Sequence, residues 1–344
     1  MDLEINGKDA VFAVDTGSPF GFAVDKSWAK RNGLNIEKKK GRETVRFGAR
    51  IGVHTENVEA MVLEFPSFDI DGLIGLPALQ QKIWRLQCDK GTITPIPSVP
   101  KHASRWMQFD LATNVPVVAL HPRIEGEGLV YIDTGSPLGV FLSDARWEQW
   151  LKTHPGAPKT VYAFSSPAAG GVAAGEQSWA EHIAIGDLTL PGTMVQRSEI
   201  EWPRVEALLG MDVLSGFEII LDFHEDKIYL ETHDHYRKPP PYNRLGAVFF
   251  PESVESSFLT ALVLTNSPAY GYGIRNGDIL LKVDDFDMTK WKHDPRYVKM
   301  KSWTTDPAGT KHNLQIRRKG KIIDCQVWTK EILPVSRNKK KHNQ

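Results

Sequence analysis

The chain has little cysteine, no long apolar run and no excess charge of either sign. Its two cysteines, Cys88 and Cys325, fall in different segments of the organisation set out below, which argues against a disulfide framework and against cysteine-based metal spacing. Lys plus Arg number 42 and Asp plus Glu number 42 over 344 residues, so no basic field for a nucleic acid is expected. The one concentrated basic stretch, "SRNKKKHNQ" at the C-terminus, reads as a solvated tail. No apolar run reaches the roughly 18 residues of a membrane span. The start "MDLEINGKDA" is acidic and lacks the apolar core of a signal peptide. His233-Asp234-His235 has no further ligands at metal spacing, and His224 and His293 stand alone, so neither a metal nor another cofactor is expected.

What the chain does have is a repeat. "VDTGSP" at 14–19 returns as "IDTGSP" at 132–137. The likeness continues through Phe20/Leu138, Gly21/Gly139, Phe22/Val140 and Val24/Leu142 to Trp28/Trp147, which reads as core. "DGLIGLPAL" (71–79) and "EALLGMDVL" (206–214) follow in the same order, and each precedes a strand pair, "IWRLQCDKGTITPI" and "FEIILDFHEDKIYL". Kept order and spacing indicate a duplicated domain. The local pattern is β: "LEINGKDAVFAV" alternates apolar residues around Asn6-Gly7, a hairpin turn pair. The opening strand of the first copy is short beside "VPVVALHPRIEGEGLVYI" of the second, which suggests that the natural protein begins upstream of Met1. A removed signal peptide there would place it in the periplasm or outside the cell.

Proline-rich joints, "TPIPSVPK" (94–101) and "RKPPPYN" (237–243), bound the copies. The expected division is 1–98, 102–236, a third unit at 244–333 and a basic tail at 334–344. Three consecutive prolines favour a semi-rigid extended spacer before the third unit.

Asp-Thr-Gly-Ser after an apolar strand resembles the active-site loop of the aspartic proteases, and Leu73-Ile74-Gly75 and Leu208-Leu209-Gly210 resemble the element that lies beside that loop. Each copy is the size of a retropepsin lobe. The resemblance implies two retropepsin-like lobes in one chain, a bilobal, pepsin-like and mainly β fold, working as a monomer on polypeptide substrates. Metal-free peptide hydrolysis needs a base for the attacking water and an acid for the carbonyl oxygen. Two carboxyls about 3 Å apart cannot both ionise, so they share a proton and supply both roles. Asp15 and Asp133 are the catalytic candidates. Gly17 and Gly135 are expected to allow a tight turn. By resemblance, Thr16 and Thr134 cross-link the loops, and Ser18 and Ser136 hydrogen-bond the outer carboxylate oxygens. Flap hairpins are expected around Phe47 and Gly48 in the first copy and around Gly170 and Gly171 in the second.

The third unit, with "NSPAYGYGIRNGDILLKVDD" (266–285), resembles a PDZ domain of bacterial type. That resemblance implies a mixed α/β module in which Leu245, Gly246 and Ala247 receive a peptide's C-terminal carboxylate. The function expected is an aspartic endopeptidase. The alternative is an inactive adaptor that binds peptides through the PDZ groove.

Overall fold

In a computed structural model the chain is mainly β. The structure describes all residues except 1, 52–53, 65–69, 81, 88–89, 102, 104–105, 112–116, 120–127, 167–170, 186–187, 199–204, 233–239, 254–255, 293–301 and 336–344. The chain divides into two compact units. The first comprises Met1–Val140, Ala184–Thr189 and Pro203–Lys238, and the second Phe141–Ile183, Leu190–Trp202 and Pro239–Gln344. This division does not follow the boundaries expected from the repeat.

The repeat is nevertheless visible in the sheets. One seven-stranded sheet has the order Asp2–Ile5, Lys8–Asp15, Gly72–Gly75, Phe22–Asp25, His54–Leu63, Arg42–Ile51, Ile36–Lys39. A second has the order Val117–Ala119, Leu129–Ile132, Val205–Leu209, Val140–Leu142, Leu188–Arg197, Gly171–Ile185, Lys159–Ser166. Numbered within each repeat, both orders read 1-2-7-3-6-5-4.

Local chemistry explains the elements. Asn6 and Gly7 both take positive φ, 48° and 81°, and close the first hairpin with Ile5 opposite Lys8. The short helices start where a side chain caps them: Asp25 accepts from the Trp28 N–H (2.8 Å) and Ser143 from the Arg146 N–H (3.4 Å). Trp28 and Trp147, on these helices, are both buried. The Gly72–Gly75 strand is buried throughout, because strands pair with it on both sides.

A five-stranded sheet within the first unit joins the two repeats. Its order is Trp106–Gln108, Lys227–Thr232, Phe217–Asp222, Ile83–Gln87, Thr92–Ile96. The terminal hairpin of each repeat supplies two strands, and the inner ones pair antiparallel, Ile220 opposite Arg85. Arg85 Nη2 donates to Glu218 Oε2 at 2.6 Å across this seam. The joint expected at 94–101 therefore begins inside a strand. Pro95 is accepted there because the strand is an edge, where a missing N–H breaks no ladder.

The second unit contains a further sheet, in the order Ala247–Phe250, Leu259–Val263, Ile279–Val283, Lys311–Arg318, Lys321–Trp328. Its core includes Leu245, Leu259, Ile274, Leu280, Leu314 and Val327. The joint before it is not a free spacer. Tyr242 and Asn243 are buried, Tyr242 against Trp179, Met194 and Leu333. The residues after the prolines bury an aromatic ring and an amide, which fixes that end of the joint. No helix among the described residues is long and apolar enough to cross a membrane.

Leu221 is fully buried in the joining sheet, opposite Trp84, whereas Ile322 is 61% exposed on an edge strand. Leu221→Ala should lower unfolding free energy by about 2–5 kcal/mol and Ile322→Ala by less than about 0.5 kcal/mol. Urea unfolding of the two variants checks this contrast.

Candidate active site

Each aspartate of the repeated motif sits at the end of a strand held by a parallel neighbour. Asp15 closes Lys8–Asp15 and lies across from Gly75. Asp133 follows Leu129–Ile132 and donates its N–H to Leu209 O at 3.0 Å. The chain then turns, with the Ser18 N–H on Asp15 O (3.2 Å) and the Ser136 N–H on Asp133 O (3.3 Å). The apolar-apolar-Gly elements lace these turns in matching ways. Gly75 donates to Gly21 O and Gly210 to Gly139 O, both at 2.9 Å, while Leu76 donates to Ser18 O and Met211 to Ser136 O.

Thr16 and Thr134 tie the loops together. The Thr16 N–H donates to Thr134 Oγ1 and the Thr134 N–H to Thr16 Oγ1, each at 3.1 Å. Each hydroxyl then donates into the opposite strand, Thr16 to Ile132 O (2.5 Å) and Thr134 to Val14 O (2.7 Å). Thr16 is fully buried, so its hydroxyl bond to Ile132 is shielded from water.

The tie brings the two carboxyls into hydrogen-bonding contact with each other. Backbone donors hold each one: the Gly17 N–H on Asp15 Oδ1 and the Gly135 N–H on Asp133 Oδ1, both 2.9 Å, with the Ser136 N–H also on Asp133 Oδ1 at 3.2 Å. Burial raises Asp15 above the ordinary carboxyl range against the pull of these donors. Burial and the charge of Asp15 push Asp133 up to about 7. Both carboxyls are thus raised, and the pair shares one proton between them. One site thus holds a base and an acid at the same pH.

The glycines are needed for a different reason from the tight turn expected of them. Neither Gly17 nor Gly135 has positive φ. A β-carbon on Gly17 would lie 2.9 Å from Asp133 Cγ, and one on Gly135 would lie 2.4 Å from Asp15 Cγ. Each glycine makes room for the carboxyl of the other loop. The serine contacts are not formed either. Ser18 Oγ accepts from the Phe20 N–H at 3.3 Å, and Ser136 Oγ is buried with no partner in the chain. The main-chain N–H groups of Gly17, Gly135 and Ser136 all meet the carboxyls at Oδ1.

The two flap expectations fall at non-equivalent places. Phe47 is buried in mid-strand, and Gly48 is clamped to Asn6, with Gly48 N–H to Asn6 Oδ1 at 2.9 Å and Asn6 N–H to Gly48 O at 3.0 Å. Gly171 opens the strand Gly171–Ile185 opposite Ser166, and Gly170 lies outside the described residues. By strand order, residues 167–170, which lie outside the described residues, correspond to Lys40-Gly41 in the first repeat, between Ile36–Lys39 and Arg42–Ile51. The residue pair itself was the available signal: Lys40 and Gly41 have φ of 49° and 82°, a two-residue hairpin turn.

In the loop Leu245-Gly246-Ala247 the N–H groups of Leu245 and Gly246 are already taken. Asn243 Oδ1 accepts from the N–H groups of Leu245 (2.9 Å) and Gly246 (2.8 Å), and Asn243 Nδ2 donates to Ala247 O (2.7 Å). No cluster of metal-ligating side chains occurs among the described residues, and His233, Asp234, His235 and His293 lie outside them.

Two predictions arise here. A carboxyl with a raised folded pKa favours the folded state while protonated. That contribution is complete below the unfolded value of about 4 and is lost as pH rises through about 7. The stability of wild type relative to Asp133→Asn should therefore fall between pH 4.5 and pH 8, which thermal melts across that range would record. Gly135→Ala should part the carboxyls and lower the upper dyad pKa toward the ordinary range, more than Gly17→Ala does, as read by NMR titration of the aspartates.

Comparison of the chain with protein-family models and with curated proteins finds no match.

Proposed function

We propose that this protein is an aspartic endopeptidase of bilobal, retropepsin-like build with a C-terminal PDZ-like module. The observation that carries the reading is the pair of mutually hydrogen-bonded aspartates on threonine-tied loops, with Asp133 raised to about 7. The ionised carboxyl of the Asp15–Asp133 pair takes a proton from a water as its oxygen attacks the substrate carbonyl carbon. The protonated carboxyl gives its proton to the carbonyl oxygen, forming a neutral tetrahedral diol. On collapse the C–N bond breaks, the leaving nitrogen takes the proton that the dyad drew from water, and one diol hydroxyl returns its proton to the other carboxyl as the product carboxylic acid forms, so the dyad ends with one proton as before. The loops change little during this cycle, because backbone N–H groups hold the carboxyls and water is not needed to orient them.

The adaptor reading is the weaker one. It needs donors for a peptide carboxylate, and Asn243 occupies those of Leu245 and Gly246.

The test is cleavage of an unfolded protein. Asp15→Asn and Asp133→Asn should each lower kcat/KM by 10²-fold or more, on the order expected of acid–base groups, with the fold kept. Activity should also decline as pH rises past about 7, where the dyad loses its shared proton. Near-wild-type turnover in either variant would sink the proposal.

A further inference from the structure

We propose that the PDZ-like module is an intramolecular brace that holds the second-repeat hairpin Lys159–Ser166/Gly171–Ile185, and not a reader of peptide C-termini. Three observations within the second unit converge on this.

The first is the self-filled loop. Asn243 is buried, and its amide satisfies Leu245, Gly246 and Ala247 at once. Gly246, at φ 73°, is wedged against Ser267, where a β-carbon would lie 2.3 Å from Ser267 Cβ. The backbone carbonyl of Asn243 in turn accepts from Thr160 Oγ1 at 2.8 Å. The residue that closes the loop is thus also fastened to the hairpin.

The second is the outer face of the module's sheet. Side chains alternate along Ala247–Phe250. Ala247 and Phe249 face the module's own core, while Val248 and Phe250 turn the other way. Val248 is buried against Val161 and Ala174, with Phe250, Leu262 and Leu264 around it. An apolar face is therefore covered by the hairpin itself.

The third is a separate anchor. Trp179 and Met194, from the strands Gly171–Ile185 and Leu188–Arg197, pack on Tyr242 and Leu333 at the two ends of the module. The Tyr242 hydroxyl donates to Glu331, and Arg244 lies 4.3 Å over the Tyr242 ring while its Nε donates to Glu331 Oε1 at 3.1 Å. Two anchors on one hairpin system resist both sliding and lifting, which a flexible tether would not do.

Hydrogen exchange of the intact chain tests the brace. Thr160→Val removes one fastening without touching the module's core, and Val248→Asp attacks the covered face. Both should speed amide exchange in 159–166 and 171–180 by about tenfold or more, with Val248→Asp the larger. Protection at Ile279–Val283 should be kept in Thr160→Val. Peptides with free apolar C-termini, titrated onto the wild-type chain, should not bind at micromolar concentration. Unchanged exchange in both variants would overturn the proposal, and so would micromolar peptide binding. If Asp15→Asn left cleavage intact while exchange rose as expected, the hydrolase reading would fail and the brace would stand.

Discussion

Two like charges held in contact are the constraint around which this molecule is organised. Left free, Asp15 and Asp133 would separate and ionise independently. Held together and half-buried, they must share a proton. The holding is done away from the carboxyls. Threonine hydroxyls cross from one loop to the carbonyl of the opposite strand, main-chain N–H groups fix the oxygens, and glycines on both loops leave room. The joining sheet then keeps the loops' parent repeats in register through its Phe217–Asp222 and Ile83–Gln87 pairing. The energy needed to keep two carboxyls adjacent is thus drawn from a buried polar lattice and an apolar seam.

Duplication accounts for the symmetry of that lattice and also for where symmetry ends. Both repeats share one strand order, and their loops are laced by equivalent hydrogen bonds. The outer hairpins of the second repeat have a different fate from those of the first, because an additional module packs on them. That is why the compact units divide inside the second repeat and not between the repeats. A hairpin that buries its apolar face on another module is stabilised by it, whatever its ancestry.

In the C-terminal module a short helix follows Ser267, and Gly246 takes the left-handed backbone at φ 73°. The N–H groups of Leu245 and Gly246 are turned onto Asn243, and the strand Ala247–Phe250 is covered on its outer face.

Much of the site was legible in the residues. Asp15 and Asp133 come in identical Asp-Thr-Gly-Ser settings, the Gly75 and Gly210 elements follow each at kept spacing, and Asn6-Gly7 marks its hairpin, because turn chemistry and apolar runs are local properties. The sequence determined in this way that the chain is mainly β, duplicated, and equipped with two equivalent carboxyl loops. Tertiary structure alone decided the rest. Gly17 and Gly135 are glycine because of a carboxyl on the other loop, and the threonine tie spans 118 positions of chain. Local sequence carries no record of a neighbour that distant. The serine hydroxyls do not reach the carboxyls: Ser18 Oγ turns to the Phe20 N–H, and the direction of each hydroxyl depends on how its turn is pinned. Lys40-Gly41 holds the place in strand order that residues 167–170 hold in the second repeat, although the two segments share no residue pattern. Asn243 stands beside the loop it closes, yet only burial of Tyr242 and the hairpin's hold on its carbonyl aim the amide inward. Patterns of residue type specify elements and their turns, whereas which groups finally meet is settled by packing between segments far apart in the chain.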